Sequence, residues 1–117
     1  MKHLLANWDI VVSRVKESEH ILLLCDYDGT LTPIVARPEL ADLSLATRVC
    51  LQRLAKAPCL ALGIVSGRTI EDLRQKVAID DIIYVGNHGL EIKGPGISFI
   101  HPVAEETKTF LYSLCEE

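Results

Sequence analysis

Residues Ile21–Thr32, reading I-L-L-L-C-D-Y-D-G-T-L-T, constrain the fold more than any other stretch. Five apolar residues run without a break, then come two aspartates standing two apart and a Gly-Thr pair. An unbroken apolar run closed by a glycine turn reads as a strand buried on both faces. Such strands belong to parallel sheets, and their carboxyl ends form the edge where open α/β folds keep ligands. Asp26 and Asp28 are therefore the first candidates for a catalytic pair.

The rest of the chain supplies elements for such a sheet. Leu4, Trp8, Val11, Val12 and Val15 share one face of an amphipathic helix, with Trp8 expected in the core. Strand one covers Ile21–Cys25, and Pro33 and Pro38 keep the stretch to about Asp42 as loop. Ser44 is placed to cap a helix running to about Lys56, with Leu45, Val49 and Leu54 inward. Pro58 ends it, and Cys59–Val65 reads as a second buried strand. Ser66-Gly67-Arg68 turns the chain. Thr69 to Asp72 has capping-box spacing, and Ile70, Leu73 and Val77 set the inner face of the next helix. Ile82–Val85 is a short third strand, and Gly86-Asn87-His88-Gly89 turns out of it. Leu90–Lys93 and Ile97–Ile100 flank Gly94-Pro95-Gly96, a hairpin pattern with a three-residue loop. Pro102 opens a last helix with Val103, Thr107, Phe110, Leu111 and Leu114 on one face.

Alternating strands and helices imply right-handed crossovers and a parallel sheet, an α/β fold with flanking helices. All carboxyl ends of a parallel sheet lie on one edge. That edge gathers the turns at Asp26–Thr30, Ser66–Arg68 and Gly86–Gly89, a convergence of carboxylate, hydroxyl and amide groups.

Composition narrows the partners. At 117 residues the chain is expected to form a single domain over 1–117. Net charge is -4, from 16 acids against 12 bases with no basic cluster, so the footprint of a nucleic-acid binder is missing. Four cysteines, at 25, 50, 59 and 115, show no metal spacing and read as small core hydrophobes in a reducing cytosol. No apolar run has the length of a membrane span, and the first residues lack the pattern of a signal peptide. A cytoplasmic protein without a membrane partner is expected.

The aspartates admit two chemistries. A calcium loop starting at Asp26 needs Gly at its sixth place and Glu at its twelfth, but those places hold Leu31 and Arg37. The segment before Asp26 is also strand-like rather than helical. The enzymatic alternative fits better. A carboxylate at a rigid strand end can attack phosphorus, and a second one two residues on can serve the leaving oxygen and then the water. A magnesium ion can hold one of two repelling carboxylates ionised. Gly29 permits a tight turn whose N–H groups face a phosphoryl oxygen, Thr30 adds a hydroxyl, and Ser66 offers another beside a helix N-terminus. Arg68 adds positive charge to the site or pairs on the helix surface.

Asp26-Tyr-Asp-Gly-Thr-Leu-Thr32 resembles the first motif of the haloacid-dehalogenase superfamily phosphatases, and Val65-Ser66-Gly67-Arg68 resembles their second. Average residue usage gives D-x-D-G-T by chance in about one in a thousand chains of this length. Gly86-Asn87-His88-Gly89-Leu90-Glu91, followed by Gly94-Pro95-Gly96 and His101-Pro102, resembles the trehalose-6-phosphate phosphatases within that superfamily; Arg37-Pro38 and the hairpin agree. The resemblance covers about Ile21–Val103. It implies a partial haloacid-dehalogenase-like, Rossmann-like core and a Mg2+-dependent phosphatase acting on a small-molecule sugar phosphate, trehalose 6-phosphate, through an aspartyl-phosphate.

Under that resemblance Asp26 is the nucleophile and a magnesium ligand. Asp28 is the general acid/base and gives its carbonyl to the metal. Thr30, Ser66, Gly67 and Arg68 bind the phosphoryl group, and Asn87, His88 and Glu91 lie near the sugar-phosphate entrance. His88 as a turn histidine bonded to its own backbone and Glu91 as a solvated strand residue are the plainer alternatives.

Family members are about twice this length and carry a later lysine and an acidic G-D-D-type motif. After His101 this chain has one lysine, Lys108, and no aspartate. It reads as the N-terminal part of a longer protein, with the last helix (about 102–117) leading towards a missing cap. Strand one is then expected at an open edge, magnesium is expected to bind weakly, and turnover by the short chain is expected to be slight. Phosphatases for sucrose phosphate or other glycosyl phosphates are the close rivals. The rival of another class is a non-catalytic phosphatase-like module, regulatory or associated with a trehalose-phosphate synthase.

Overall fold

The computed structural model describes residues 3–115. The apolar runs become a five-stranded sheet in sequence order: β1 (Ile21–Asp26), β2 (Leu60–Val65), β3 (Ile83–Gly86), β4 (Glu91–Gly94) and β5 (Ile97–Ile100). The first three strands are parallel, and β4 and β5 extend the sheet antiparallel as a hairpin. Helices α2 (Leu45–Ala55) and α3 (Ile70–Val77) pack on it, while α1 (Trp8–Glu17) precedes β1 and α4 (Pro102–Cys115) follows β5. The α/β expectation, a parallel sheet with helices and a hairpin, is what the chain forms.

Local chemistry sets the helix limits. The Ser44 hydroxyl accepts from the Thr47 N–H at 3.1 Å and opens α2. Thr69 does the same for α3 through the Asp72 N–H at 3.2 Å. Only half of the capping box forms there, because the Asp72 carboxylate turns to Arg68 instead. At the other end of α3, Arg48 of α2 donates to the Lys76 and Val77 carbonyls, satisfying groups that the helix leaves open.

One cluster of buried residues joins Leu51 of α2 and Ile70, Leu73 and Val77 of α3 to Leu62 and Ile64 of β2 and Tyr84 of β3. The opposite side of β1 is bare. Leu22 is 62% exposed and Leu24 52%, while Ile21, Leu23 and Cys25 alternate with them towards the core. Strand one is thus covered on one face only, not on both. It stands at the edge of the sheet, as the resemblance implied.

Other details differ from the sequence reading. Trp8 is 52% exposed rather than core, because among the described residues nothing covers that face of α1; only its Val11 and Val12 are partly shielded. Leu45 and Val49 point outward, and Leu51 is the buried residue of α2, since the helix is rotated to bring Arg48 onto the end of α3. Gly94 pairs with Ile97, so the hairpin loop has two residues, Pro95 and Gly96, not three. Gly96 has φ +70, the Pro-then-left-handed-Gly order of a type II turn. Cys25 is half-buried and packs against the core as expected, but Cys50 and Cys59 are exposed and are not core hydrophobes. The α4 face carrying Val103, Phe110, Leu111 and Leu114 is open. The radius of gyration, 17.1 Å, accordingly exceeds the about 13 Å of a compact chain this long. Among the described residues no helix is long and apolar enough to cross a membrane.

Candidate active site

Strand register sets the site. Asp26 is level with Val65, and Val65 with Val85, so β1, β2 and β3 end in one row. The ladder continues one step into the turns, with Tyr27 N–H donating to the Val65 carbonyl at 3.1 Å and Ser66 N–H to Val85 at 3.0 Å. The third turn is sewn to the second by Asn87 N–H on the Arg68 carbonyl (2.7 Å) and His88 N–H on that of Ser66 (3.3 Å). All three polar turns therefore share one edge.

The first turn winds over Tyr27, which is fully buried. Its hydroxyl donates to the Ala41 carbonyl at 2.8 Å. Its carbonyl accepts from the N–H groups of Leu31 and Thr32, both at 3.1 Å, and from the Thr32 hydroxyl at 3.2 Å. Gly29 crosses the turn at φ +82, where a side chain would be strained. The turn brings the Thr30 hydroxyl to Asp26 Oδ2 at 2.9 Å. Asp26 is exposed, and its Oδ1 has no hydrogen bond among the described residues.

Asp28 is held differently. Its carboxylate accepts from Ser66 Oγ at 3.2 Å, from Arg68 Nε at 2.9 Å and from Arg68 Nη2 at 2.7 Å. The Arg68 guanidinium holds the Asp28 carboxyl below the usual carboxylate range, outweighing the opposing effect of partial burial. The same guanidinium is itself pushed further towards permanent charge by its hydrogen bonds to Asp28. The resting arrangement thus keeps Asp28 ionised.

The third turn is tightly packed. Asn87 and His88 both adopt left-handed backbone, at φ 50 and 57. The His88 ring lies against Gly67, where an added Cβ would come within 2.7 Å of Nε2. Gly67 thus leaves room for His88, which makes no side-chain bond to its own backbone. Glu91 is not a solvated strand residue. It accepts from Asn87 Nδ2 at 3.1 Å, pairs with Lys93 at 3.5 Å, and its side chain is only 17% exposed. A groove of about 1040 Å³ runs from Asn87 and Glu91 along α4, lined also by Leu90, His101, Lys108 and Tyr112.

Asp26, Asp28, Thr30, Ser66, Gly67 and Arg68 meet at the first two turns, and Asn87, His88 and Glu91 adjoin them. Sequence reasoning missed Tyr27, Asp72 and the Pro38 carbonyl, which fix the others in place. Tyr27 was findable, because it continues the buried alternation of Ile21, Leu23 and Cys25 by one more step. Among the described residues no group of three or more His, Cys, Asp or Glu side chains could hold a metal. The free Asp26 oxygen and the Asp28 backbone carbonyl are hard donors, and they suit a magnesium ion that keeps most of its waters.

Known proteins share this sequence and arrangement. A family model described as trehalose-phosphatase matches residues 24–110. The rice protein named "Probable trehalose-phosphate phosphatase 4" (Oryza sativa subsp. japonica) is 36% identical over 100 residues, 86% of this chain and 27% of that protein. Among solved structures, the C-terminal domain of trehalose-6-phosphate phosphatase from C. albicans superposes with TM-score 0.71 at 34% identity, covering 79% of this chain and 32% of that one. The Aspergillus fumigatus trehalose-6-phosphate phosphatase gives TM-score 0.69 at 33% identity, covering 80% and 35%. The chain spans about a quarter of the length of the curated relatives it matches.

Proposed function

The chain belongs to the trehalose-phosphatase family, and on that footing we propose that it carries the nucleophile side of a phosphatase site for trehalose 6-phosphate. The observation that carries this is the common row of Asp26, Val65 and Val85, which brings Asp26, Ser66 and Asn87 to one edge.

Asp26 Oδ1, free of any protein donor, attacks phosphorus while Thr30 holds the other oxygen. Ser66 donates its hydroxyl to a phosphoryl oxygen, giving up its bond to Asp28. Asp28, held ionised at rest by Arg68, takes up a proton from solvent, gives it to the departing sugar oxygen, and then takes one from the water that cleaves the aspartyl-phosphate. The sugar lies in the groove beyond Asn87, His88 and Glu91. Asp26 and the Asp28 carbonyl would hold a magnesium ion, which when bound would supply charge neutralisation for the phosphoryl group. The cytoplasm suits the exposed thiols of Cys50 and Cys59.

With a single side-chain carboxylate free for the metal, the 117-residue chain alone turns over slowly. The test is magnesium-dependent phosphate release from trehalose 6-phosphate, sucrose 6-phosphate and glucose 6-phosphate. We expect trehalose 6-phosphate to be preferred, at less than about a tenth of a full-length relative's rate, and Asp26→Asn to abolish release. Release that survives Asp26→Asn, or none from trehalose 6-phosphate, overturns the proposal.

A further inference from the structure

The side chain of Arg68 is only 10% exposed, although it belongs to the turn at the site. A guanidinium has five N–H donors. Nε faces Asp28, at 2.9 Å from Oδ2 and 3.2 Å from Oδ1. Nη2 reaches Asp28 Oδ1 and the Pro38 carbonyl, each at 2.7 Å. Nη1 reaches Asp72 Oδ2, also at 2.7 Å. The guanidinium also lies over the Tyr27 ring, 5.4 Å from its centroid, which adds a cation–π contact. Four of the five donors are therefore committed to protein oxygens, from the first turn, the 33–42 loop and α3. Two carboxylates surround one cation, so an incoming phosphoryl group meets no uncompensated positive charge there.

We infer that Arg68 is not a phosphate ligand but a positioning residue that clamps the Asp28 carboxylate in place and ties it to the loop at Pro38. The inference rests on the reading of Asp28 as a working carboxylate. A fork that bonds both oxygens of one carboxylate fixes its plane as well as its distance, which a lysine's point charge does not. The backbone N–H of Arg68 donates to Ser66 Oγ at 3.1 Å, so the same residue also holds the hydroxyl that meets Asp28. Asp72 and the Pro38 carbonyl keep the fork from swinging away.

The Arg68 Nε–H can be followed by NMR in the 15N-labelled chain, and it bonds only Asp28. We expect its exchange with water to be at least about tenfold slower than that of the exposed arginines, and Asp28→Asn to remove that protection. Inorganic phosphate should shift the Ser66 or Thr30 amide and leave the Arg68 Nε–H in place. In phosphate release from trehalose 6-phosphate, Arg68→Lys should lower kcat about a hundredfold with KM unchanged, the scale of a misplaced catalytic group. An Nε–H indifferent to Asp28→Asn, an Nε–H shifted by phosphate, or an Arg68→Lys enzyme altered in KM alone would overturn the assignment. If no variant releases phosphate, the proposed activity fails, and the exchange measurement still decides the role of Arg68.

Discussion

Helices α3 and α4 carry equally clear apolar faces and meet opposite fates. In α3, Ile70, Leu73 and Val77 are buried against β2 and β3. In α4, Val103, Phe110, Leu111 and Leu114 lie open. The difference is in topology, not in pattern. α3 is the crossover between two parallel strands, and a right-handed crossover must lie back on the sheet. α4 follows β5, the last strand of the hairpin, and among the described residues no later strand obliges it to return. Periodicity tells which face of a helix is apolar; only the neighbouring connections tell whether that face is covered. The candidate site lies at the strand ends, where the turns after β1, β2 and β3 are sewn together.

Substitutions can break or sharpen this contrast. The largest effect is expected at Leu73, which is fully buried. Leu73→Ala should cost about 2–5 kcal/mol, the sum of lost transfer energy and the cavity left behind. Phe110→Ala, on the open face of α4, should stay within about 0.5 kcal/mol. Urea denaturation of both variants measures the gap. Equal losses would show that α4 is covered in solution.

Gly86 tests the seam between the turns. A Cβ there would stand 2.8 Å from Ile70 Cγ1, 2.9 Å from the Arg68 carbonyl and 3.0 Å from Ile70 N. Two of those neighbours are backbone and cannot move aside without shifting the start of α3. Gly86→Ala should therefore cost about 1–3 kcal/mol, as overpacking does. It should also displace the Ser66 and Asn87 amide signals. A neutral Gly86→Ala would mean that the turns after β2 and β3 are not held as closely as their hydrogen bonds indicate.

Much of the fold was legible because apolar runs, Pro58 and the two hydroxyl caps are local signals. Ser44 and Thr69 sit where their hydroxyls accept from the first turn of a helix, whatever the rest of the chain does. The two-sided burial expected of β1 was not legible, because it depends on what lies beside and above the strand. At the candidate site, the common edge of Asp26, Ser66 and Asn87 was legible because strand ends of a parallel sheet must share an edge. The Arg68 clamp was missed because its partners, Asp28, Pro38 and Asp72, are scattered through the sequence and carry no common spacing. The role of Gly67 was also out of reach. It looks like a phosphate-loop glycine in sequence, yet its missing side chain makes room for a histidine twenty-one residues later.

The smallest expected effect concerns the other exposed helix. Trp8 is the only tryptophan in the chain and is 52% exposed on α1. Its truncation should change stability by no more than about 0.5 kcal/mol, whereas a buried tryptophan cut to alanine loses about 3–5 kcal/mol. Being unique, Trp8 also reports its surroundings directly. Its fluorescence should be that of a wet indole, open to quenching by iodide in the folded chain and little changed on unfolding. A blue-shifted, protected Trp8 together with a loss of more than about 2 kcal/mol in Trp8→Ala would mean that something covers α1. Exposed Leu4, Leu5 and Ile10 on the same segment give such a cover apolar surface to bury. Protection of Trp8 that rises with protein concentration would identify the cover as a second copy of the chain, and protection independent of concentration would place it within one molecule.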